Sequence, residues 1–404
     1  MRVLDDLLST GVWRDVVEEH GTPTVIVDAA IIRERAQILR RAFPHAKLVY
    51  ALKANYNPHI VRLILDEGFG IDAVSPNEIR LARTLGVPPE DIVYVENAMS
   101  PSDMDYAIRE GVRIVIGSLG ALERFAAARP GSTVTLRING DIGASSHAYT
   151  YTAGPKSKFG IHVSQLGEAR AIAEAAGVGI TGLQQHIGSN WIDPEPFVRS
   201  AEALIDVAKT FPDVVSLDFG GGFGIPYRPE DHHLDVDAIG DAVRHLTRSH
   251  KAANGADFEV GFEPGRYLVA ESSAILTRVN DRKIGGTGRV FIGTDTGFNQ
   301  LIRPALYGAY HRIVNLSDDG RPVEPVDVCG NLCEESDYLA RERMLPAPDV
   351  GDILAIMDVG AYGLAQASDY NLRLAPAEIL VDGDERRVIR RRKTLADVMA
   401  QFGP

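Results

Sequence analysis

Several groups that could do chemistry lie in or directly after short apolar runs of the sequence, near the points where strands would end. They are Lys53, Asp72, His186, the glycines of "GGGFG" (Gly220 to Gly224) and the charged ends of "EPGR" (Glu263 to Arg266). An ammonium group is costly to bury, so Lys53 is either a strand-end lysine whose head reaches water or an amine held neutral by desolvation. A neutral lysine amine is a nucleophile toward carbonyl carbons.

Together these groups match the requirements of one cofactor, pyridoxal 5'-phosphate (PLP), which needs an amine, a ring partner, a phosphate site and a carboxylate. Lys53 would bond to its aldehyde carbon, His186 would stack on its pyridine ring, and Glu263 would keep its ring nitrogen protonated. Adjacent glycines let backbone N–H groups approach a single phosphate, although a tight turn would explain "GGGFG" equally well. The set predicts an enzyme in which a protonated pyridine stabilises a carbanion at the α-carbon of an amino acid.

The elements that must position these groups alternate between apolar runs and helical segments. The apolar runs are Leu48 to Leu52, Ile71 to Val74, Ile92 to Val95, Arg113 to Ile116, Thr133 to Ile138, Ile180 to Gln185, Val214 to Asp218 and Phe258 to Phe262. Intervening segments such as "SPNEIRLARTLG" begin with a polar residue, have Pro in the first turn and end near Gly. This alternation predicts an α/β fold, a (β/α)8 TIM barrel, in which reacting groups lie at the C-terminal ends of the strands. An open, doubly wound sheet is the alternative.

The pattern changes after about Leu276, where shorter runs are separated by Gly and Pro. Segments such as "GRVFIGTD" and "DILAIMDVGAYG" are typical of an all-β domain. We expect a PLP-binding barrel over residues 28–270 and a C-terminal β domain, a barrel or sandwich, over residues 271–404. Residues 1–27 are expected to pack on the β domain, while the segment "GTPTVIVD" (Gly21 to Asp28) could belong to either domain.

The overall composition argues against several classes of protein. Of 404 residues, 45% are hydrophobic and 24% are charged, and the formal net charge of -13 disfavours a general nucleic-acid binder. The only two cysteines, Cys329 and Cys333, cannot form a disulfide framework, and no further ligands complete a zinc site. No leader precedes "MRVLDDLLST", and no apolar stretch approaches about 18 residues. We expect a cytoplasmic enzyme with no metal, membrane or nucleic-acid partner.

Four motifs resemble a known family. "YALKAN", "HIGS", "GGGFGIPY" and "EPGR" are similar to motifs of the fold-type III PLP-dependent decarboxylases, which include the diaminopimelate and ornithine decarboxylases. "RPALYGAYH", "CEESDYL" and "DVGAYG" look like the diaminopimelate branch in particular, and the resemblance runs from about Gly21 to about Gly383. It implies an alanine-racemase-like barrel joined to a β domain, and a head-to-tail homodimer whose active sites are shared at the interface.

The resemblance also implies a role for each matching residue. The implied catalytic residues are the Schiff-base lysine Lys53, the stacking imidazole of His186, Glu263, and Cys333 of the partner subunit as the acid that reprotonates the carbanion. The residues implied around the phosphate and the rest of the cofactor are Ser189, Gly221, Gly222, Gly265, Arg266 and Tyr362. Asp72 is expected beside the cofactor from its place at a strand end. The residues implied to hold the substrate are Arg266, Arg303, Tyr307, Tyr362 and the partner's Glu334.

Arg303 bears on the choice of substrate. An arginine fork binds a carboxylate bidentately, which favours a substrate with a distal carboxylate, although an ion pair at a surface or interface would also explain this residue. The first candidate is meso-diaminopimelate, whose decarboxylation gives L-lysine in lysine biosynthesis. Tyr267, Asn190 and Trp191 differ from the usual diaminopimelate pattern. The alternative is therefore another amino acid, such as ornithine, lysine, a glutamyl-type compound, or a tethered intermediate of siderophore or antibiotic assembly.

Two further functions stay open. A racemase would need a second base opposite Lys53, and it would normally have an arginine rather than Glu263 at the ring nitrogen. A catalytically silent relative that regulates an enzyme through mixed dimers would often have lost the lysine, the glutamate or the cysteine. Lys53, Glu263 and Cys333 are all present.

Overall fold

The computed structural model describes residues 3–95, 97–143, 152–154, 156–254 and 257–403. The chain divides into two compact units. The barrel unit comprises Ala36–Pro226 and His232–Tyr267, and the β unit comprises Met1–Arg35, Tyr227–Asp231 and Leu268–Pro404. The expected domain boundaries at 28–270 and 271–404 stay a prediction, because compactness does not test which segments fold independently.

The helices alternate with the strands through the barrel unit and become short in the β unit. They are α1 (Leu4–Ser9), α2 (Val12–His20), α3 (Ala29–Ala42), α4 (Pro58–Asp66), α5 (Pro76–Thr84), α6 (Pro101–Glu110), α7 (Leu119–Ala128), α8 (Leu166–Ala175), α9 (Glu195–Ala208), α10 (Val236–Asn254), α11 (Arg266–Val269), α12 (Arg303–Tyr307) and α13 (Leu395–Met399). Among the described residues, no helix combines the length and apolar character that a membrane crossing requires.

Three helices begin where their sequence signals predict. α4, α5 and α6 each begin at a proline, and the preceding polar side chain accepts a hydrogen bond from a backbone N–H of the first turn. Ser75, for example, accepts from the N–H of Glu78 at 3.2 Å. An N–H group in the first turn has no partner within the helix, so a proline, which lacks an N–H, costs no hydrogen bond there. The capping side chain and the proline together fix where each helix starts.

The strands of the barrel unit follow the predicted apolar runs closely. After β1 (Thr24–Asp28) of the β unit they are β2 (Lys47–Ala51), β3 (Gly70–Ala73), β4 (Ile92–Val95), β5 (Arg113–Ile116), β6 (Thr133–Asn139), the two-residue β7 (Ile161–His162), β8 (Gly179–Gln184), β9 (Ser216–Asp218) and β10 (Glu259–Phe262). Their order is β5-β4-β3-β2-β10-β9-β8-β6, all neighbours are parallel, and β5 also pairs with β6.

That last pairing decides between the two predicted architectures. Val115 of β5 is in register with Thr135 of β6, so the parallel sheet closes on itself. A buried cluster of Val49, Val93, Val95 and Val115 joins β2, β4 and β5. The (β/α)8 barrel with an additional β domain is confirmed, and the open, doubly wound sheet is wrong.

The β unit contains a second sheet built from both ends of the chain. Its further strands are β11 (Ser273–Ile284), β12 (Val290–Thr294), β13 (Ile313–Asn315), β14 (Val323–Cys329), β15 (Tyr338–Pro346), β16 (Ile353–Ile356), β17 (Ala377–Asp382) and β18 (Glu385–Arg390). The main order is β15-β14-β12-β11-β1-β17-β18, and β16 joins β11 to β13. β1 runs antiparallel to β11 and parallel to β17, which places the segment Gly21 to Asp28 in this unit.

Candidate active site

Lys53 lies directly beyond the C-terminal end of β2. The strand stops at Ala51, and a turn of 3-10 helix over Leu52–Ala54 carries the lysine. Its Nζ atom is 3.3 Å from Oδ2 of Asp72, whose buried carboxylate is level with Ala51 in the register of β2 and β3. The Lys53 side chain is 40% exposed. The sequence left open whether this amine is desolvated. At this exposure, the chain alone does not desolvate it.

His186 follows β8 and is tied to the first residues of the glycine segment. Its Nδ1 atom accepts a hydrogen bond from the N–H of Gly221 at 3.2 Å, so the proton of the neutral ring lies on Nε2. Burial, followed by the positive charges of Lys53 and Arg137, lowers the pKa of His186 well below 6.5. The imidazole is neutral near physiological pH, which suits a ring that stacks on an aromatic cofactor.

The glycine segment is packed so closely that larger residues do not fit. A Cβ atom on Gly221 would lie 2.2 Å from the carbonyl oxygen of Glu263, and one on Gly222 would lie 2.1 Å from that of Gly188. Gly222 also has a φ of +97°. Backbone packing thus explains these glycines without any ligand, and their contact with a phosphate stays a prediction.

Trp191, one of the departures from the family pattern, supports this segment. Its Nε1 atom donates to the carbonyl oxygen of Gly221 at 3.3 Å, and its ring stacks on Phe197 with centroids 5.1 Å apart. Its backbone N–H donates to the carbonyl oxygen of Gly222. In this chain, therefore, Trp191 helps to hold the glycine segment in place.

Glu263 is a buried acid just beyond the C-terminal end of β10. Its Oε2 atom accepts a hydrogen bond from Nε2 of Gln184 at 2.9 Å. Its Oε1 atom is buried and has no hydrogen-bond partner in the described part of the chain. Burial, followed by the negative charges of Asp218 and Asp72, raises the pKa of Glu263 well above 4.5. A buried carboxyl oxygen with an open hydrogen-bond valence fits the ring nitrogen of PLP.

Asp218 is a member of this site that the sequence analysis missed. It ends β9, and its Oδ1 atom accepts a hydrogen bond from the N–H of Gly220 at 2.8 Å. Burial raises its pKa to about 7, and Asp218 lines a cavity of about 10 Å³ together with Arg113 and Glu259. The signal that could have found it is the one that found Asp72: an acid at the C-terminal end of a barrel strand.

Arg266 and Ser189, expected near the phosphate, lie side by side. Nη2 of Arg266 donates to Oγ of Ser189 at 2.9 Å, and Arg266 is buried. Gly265 packs against β2 and the turn after it, because an added Cβ would lie 3.1 Å from that of Ala51 and 3.2 Å from that of Ala54. The structure thus brings the predicted residues of the barrel unit together in hydrogen-bonded or tightly packed pairs.

The remaining predicted residues belong to the β unit. Arg303 and Tyr307 are the first and last residues of α12, and Tyr362 has a φ of +56°. Cys333 is exposed, and its backbone N–H donates to Oδ1 of Asn371 at 2.8 Å. The neighbouring Glu334 accepts a hydrogen bond from the hydroxyl of Tyr370 at 2.5 Å. An exposed thiol at this position is compatible with the predicted role in a partner subunit.

These groups fit PLP on the chemistry of the donor set. The barrel unit supplies an accessible amine at Lys53, a neutral imidazole at His186, a guanidinium and hydroxyl at Arg266 and Ser189, and the open oxygen of Glu263. An amine, a ring partner, anion-binding groups and a carboxyl for the ring nitrogen are the groups that this cofactor requires.

Comparisons with known proteins agree with this fit. The model of the pyridoxal binding domain of pyridoxal-dependent decarboxylases matches residues 29–270. The diaminopimelate decarboxylase of Methanothermobacter thermautotrophicus is 39% identical over 397 residues, which cover 95% of this chain and 92% of that protein. The crystal structure of diaminopimelate decarboxylase from Helicobacter pylori complexed with L-lysine has a TM-score of 0.89 and 30% identity, covering 97% of this chain and all of that one. Sequence, fold and site together show that the chain belongs to the family of pyridoxal-dependent decarboxylases, whose cofactor is PLP.

Proposed function

We propose that this protein decarboxylates meso-diaminopimelate to L-lysine. The observation that carries the proposal is the buried Oε1 atom of Glu263, which lies just beyond the end of β10 and has no hydrogen-bond partner among the described residues. The named relatives support the substrate, because they are diaminopimelate decarboxylases and the Helicobacter pylori structure holds L-lysine, the product of that reaction.

Each site residue has a task in this proposal. When bound, PLP would supply an electron sink for the pair that remains on the α-carbon when CO2 leaves. Lys53 would hold the aldehyde carbon of the cofactor until the amine of the substrate replaces it there, and His186 would cover one face of the ring. Burial raises the pKa of Glu263, so its carboxyl would share a proton with the ring nitrogen. Ser189, Gly221, Gly222, Gly265 and Arg266 hold the phosphate.

The α-carbon must then receive a proton, and the substrate must be held at its far end. The thiol of Cys333 supplies that proton from the partner subunit, because a thiol is an acid that can protonate a carbanion. Arg303 binds the distal carboxylate, with Tyr307, Tyr362 and the partner's Glu334 near the same end. Because each active site takes residues from both subunits in this proposal, the functional protein is a homodimer with shared active sites. A cytoplasmic location is part of the same proposal.

A panel of amino acids tests the reaction and the substrate together. Purified holoenzyme is given meso-diaminopimelate, ornithine, lysine, glutamate or acylated forms of these acids, and CO2 and the amine product are measured by gas release and mass. We expect L-lysine and CO2 from meso-diaminopimelate at a rate far above the rest. CO2 from ornithine or a tethered acid instead would replace the proposed substrate, and no CO2 from any of them would refute the decarboxylase function.

A further inference from the structure

Arg303 is held by two neutral aromatic side chains of the β unit. The arginine is only 7% exposed, and its Nη1 atom donates a hydrogen bond to Nε2 of His311 at 2.8 Å. Its Cζ atom lies over the ring of Tyr227, 4.6 Å from the ring centroid. The Tyr227 and His311 rings meet edge to face at 5.4 Å and 72°. We call these two side chains the Arg303 clamp.

The hydrogen bonds of His311 fix its charge state. Its Nδ1 atom is 2.8 Å from the carbonyl oxygen of Met357, which can only accept, so Nδ1 carries the proton. Nε2 must then offer a lone pair to the N–H of Arg303, which a doubly protonated imidazole cannot do. The ring is fully buried, and the N–H of Met357 donates back to the carbonyl oxygen of Arg312. The imidazole is thereby anchored to the segment that follows β16.

A neutral clamp has a different electrostatic effect from an ion pair. A carboxylate in the place of His311 would orient Arg303 equally well, but it would cancel much of the positive charge that attracts an anionic ligand. An aromatic face and a neutral imidazole orient the guanidinium without adding a negative charge beside it. Asp358 interacts with Arg303 electrostatically, yet burial and then Glu271 raise its pKa to about 7, so this carboxyl is only partly ionised near neutral pH.

We propose that Tyr227 and His311 are positioning residues that orient Arg303 for the distal carboxylate of the substrate without adding a negative charge of their own. They then determine specificity for amino acids with a second acidic end, although neither of them touches the reacting α-carbon. The identity of the substrate in this inference rests on the proposed function, whereas the positioning of Arg303 does not.

Substitutions that keep or remove the neutral acceptor test the clamp in the holoenzyme. His311→Gln retains a neutral acceptor and Tyr227→Phe retains the aromatic face, so both keep KM for meso-diaminopimelate within about threefold. His311→Leu and Tyr227→Leu raise KM about tenfold or more with kcat within about twofold, because a hydrogen bond or ring contact to a charged group is lost. Unchanged KM in both leucine variants would overturn the proposal.

An acidic substitution and a double-mutant cycle separate positioning from general damage. His311→Glu raises KM more than His311→Leu, because the new carboxylate pairs with Arg303. In an Arg303→Ala background, His311→Leu has no further effect on KM, whereas additive effects would contradict the clamp. The matched control is His250→Leu, since His250 is also buried but packs on Phe258 in the barrel unit and leaves KM unchanged.

A structural readout keeps the clamp testable whatever the substrate is. If the wild type releases no CO2 from meso-diaminopimelate, the proposed function fails, and the crystal structures of the wild-type and His311→Leu holoenzymes then decide the clamp alone. A displaced or disordered Arg303 side chain in His311→Leu supports the clamp. An Arg303 side chain in the same position as in the wild type overturns it.

Discussion

Glu263 shows how the position of a single residue determines its chemistry. An ordinary glutamate is ionised at neutral pH, but burial and two neighbouring acids, Asp218 and Asp72, raise the pKa of this one. Gln184 satisfies one carboxyl oxygen and leaves the other open. The sequence predicted the role of Glu263 from its place after a strand. It could not predict the supporting amide or the neighbouring acid, because those contacts depend on how β8, β9 and β10 align.

Replacing Glu263 by Gln tests this role at the residue scale. The amide keeps the shape of the side chain and can still bond Gln184, but it cannot hold a proton for the ring nitrogen. We expect kcat to fall about a hundredfold or more, since the ring withdraws electrons poorly when it is not protonated. The matched control is Glu259→Gln at the start of the same strand, where the exposed carboxylate pairs with Arg113. Equal effects on kcat in the two variants would rule out a special role for Glu263.

The regular elements could be predicted, and the irregular connections could not. Eight apolar runs matched the strands of the barrel because alternation and proline-capped helices are local signals. The first run ended too late, since Leu52 and Lys53 form a 3-10 turn rather than the end of β2. The packing of the glycine segment could not be predicted from the sequence either. It depends on Gly188 and Trp191, which lie about 30 residues earlier in the chain.

A substitution in the glycine segment tests its contribution at the scale of the element. In Gly222→Ala the new methyl group would overlap the carbonyl oxygen of Gly188 and would sit at a φ of +97°. We expect the dissociation constant for PLP, measured by absorbance titration, to rise about tenfold or more. Gly177→Ala is the control, because its φ is +66° but the nearest atom to an added Cβ is 3.9 Å away. Similar losses in both variants would point to backbone strain alone.

The whole molecule depends on contacts that are distant in sequence. β1 is in register with β11 and β17, so the N-terminal segment completes a sheet whose other strands follow residue 272. Local sequence patterns could not assign that segment to a domain, because a strand that pairs on both sides has the same sequence pattern in either domain. The family resemblance and the barrel with its β domain are confirmed. The predicted roles of individual site residues stay predictions.

The pH dependence of stability tests the buried acid Asp218. Its pKa of about 7 in the folded chain exceeds the ordinary 3.8, so the folded state holds a proton that the unfolded state releases. The stabilisation that this bound proton provides is complete below pH about 4, and it is lost as the pH rises through about 7. A pKa change from 3.8 to about 7 corresponds to at most about 4 kcal/mol. In cofactor-free protein, Asp218→Asn should therefore gain Tm relative to the wild type as the pH rises from 4 to 8.

Asp257 provides a control of opposite sign for this titration. It is an exposed acid of the same unit, and its hydrogen bond to Lys251 lowers its pKa below 3.8. Its contribution is present at neutral pH and is lost as the pH falls through its folded pKa. Asp257→Asn should therefore lose Tm relative to the wild type at neutral pH and match it in acid. Parallel curves of Tm against pH for Asp218→Asn and the wild type would refute the assignment of Asp218.

Mixed dimers test whether the active site is shared between subunits. Lys53→Ala and Cys333→Ala chains are co-expressed with different affinity tags, and the mixed dimer is isolated. If Cys333 serves the partner's site, one of the two sites has both residues intact, and about half of the wild-type activity returns. An inactive mixed dimer, alongside two inactive parent variants, would mean that each site takes both residues from one chain.

The central claim, that Lys53 is the residue that carries the cofactor, can be measured directly. PLP-loaded protein is reduced with borohydride, which makes the bond between cofactor and lysine permanent, and the labelled peptide is identified by mass spectrometry. Lys47 at the start of the same strand is an internal control, because its ammonium pairs with Asp91. We predict one pyridoxyl label, on Lys53, and no label in the Lys53→Ala variant. A label on any other lysine, or none in the wild type, would contradict the account.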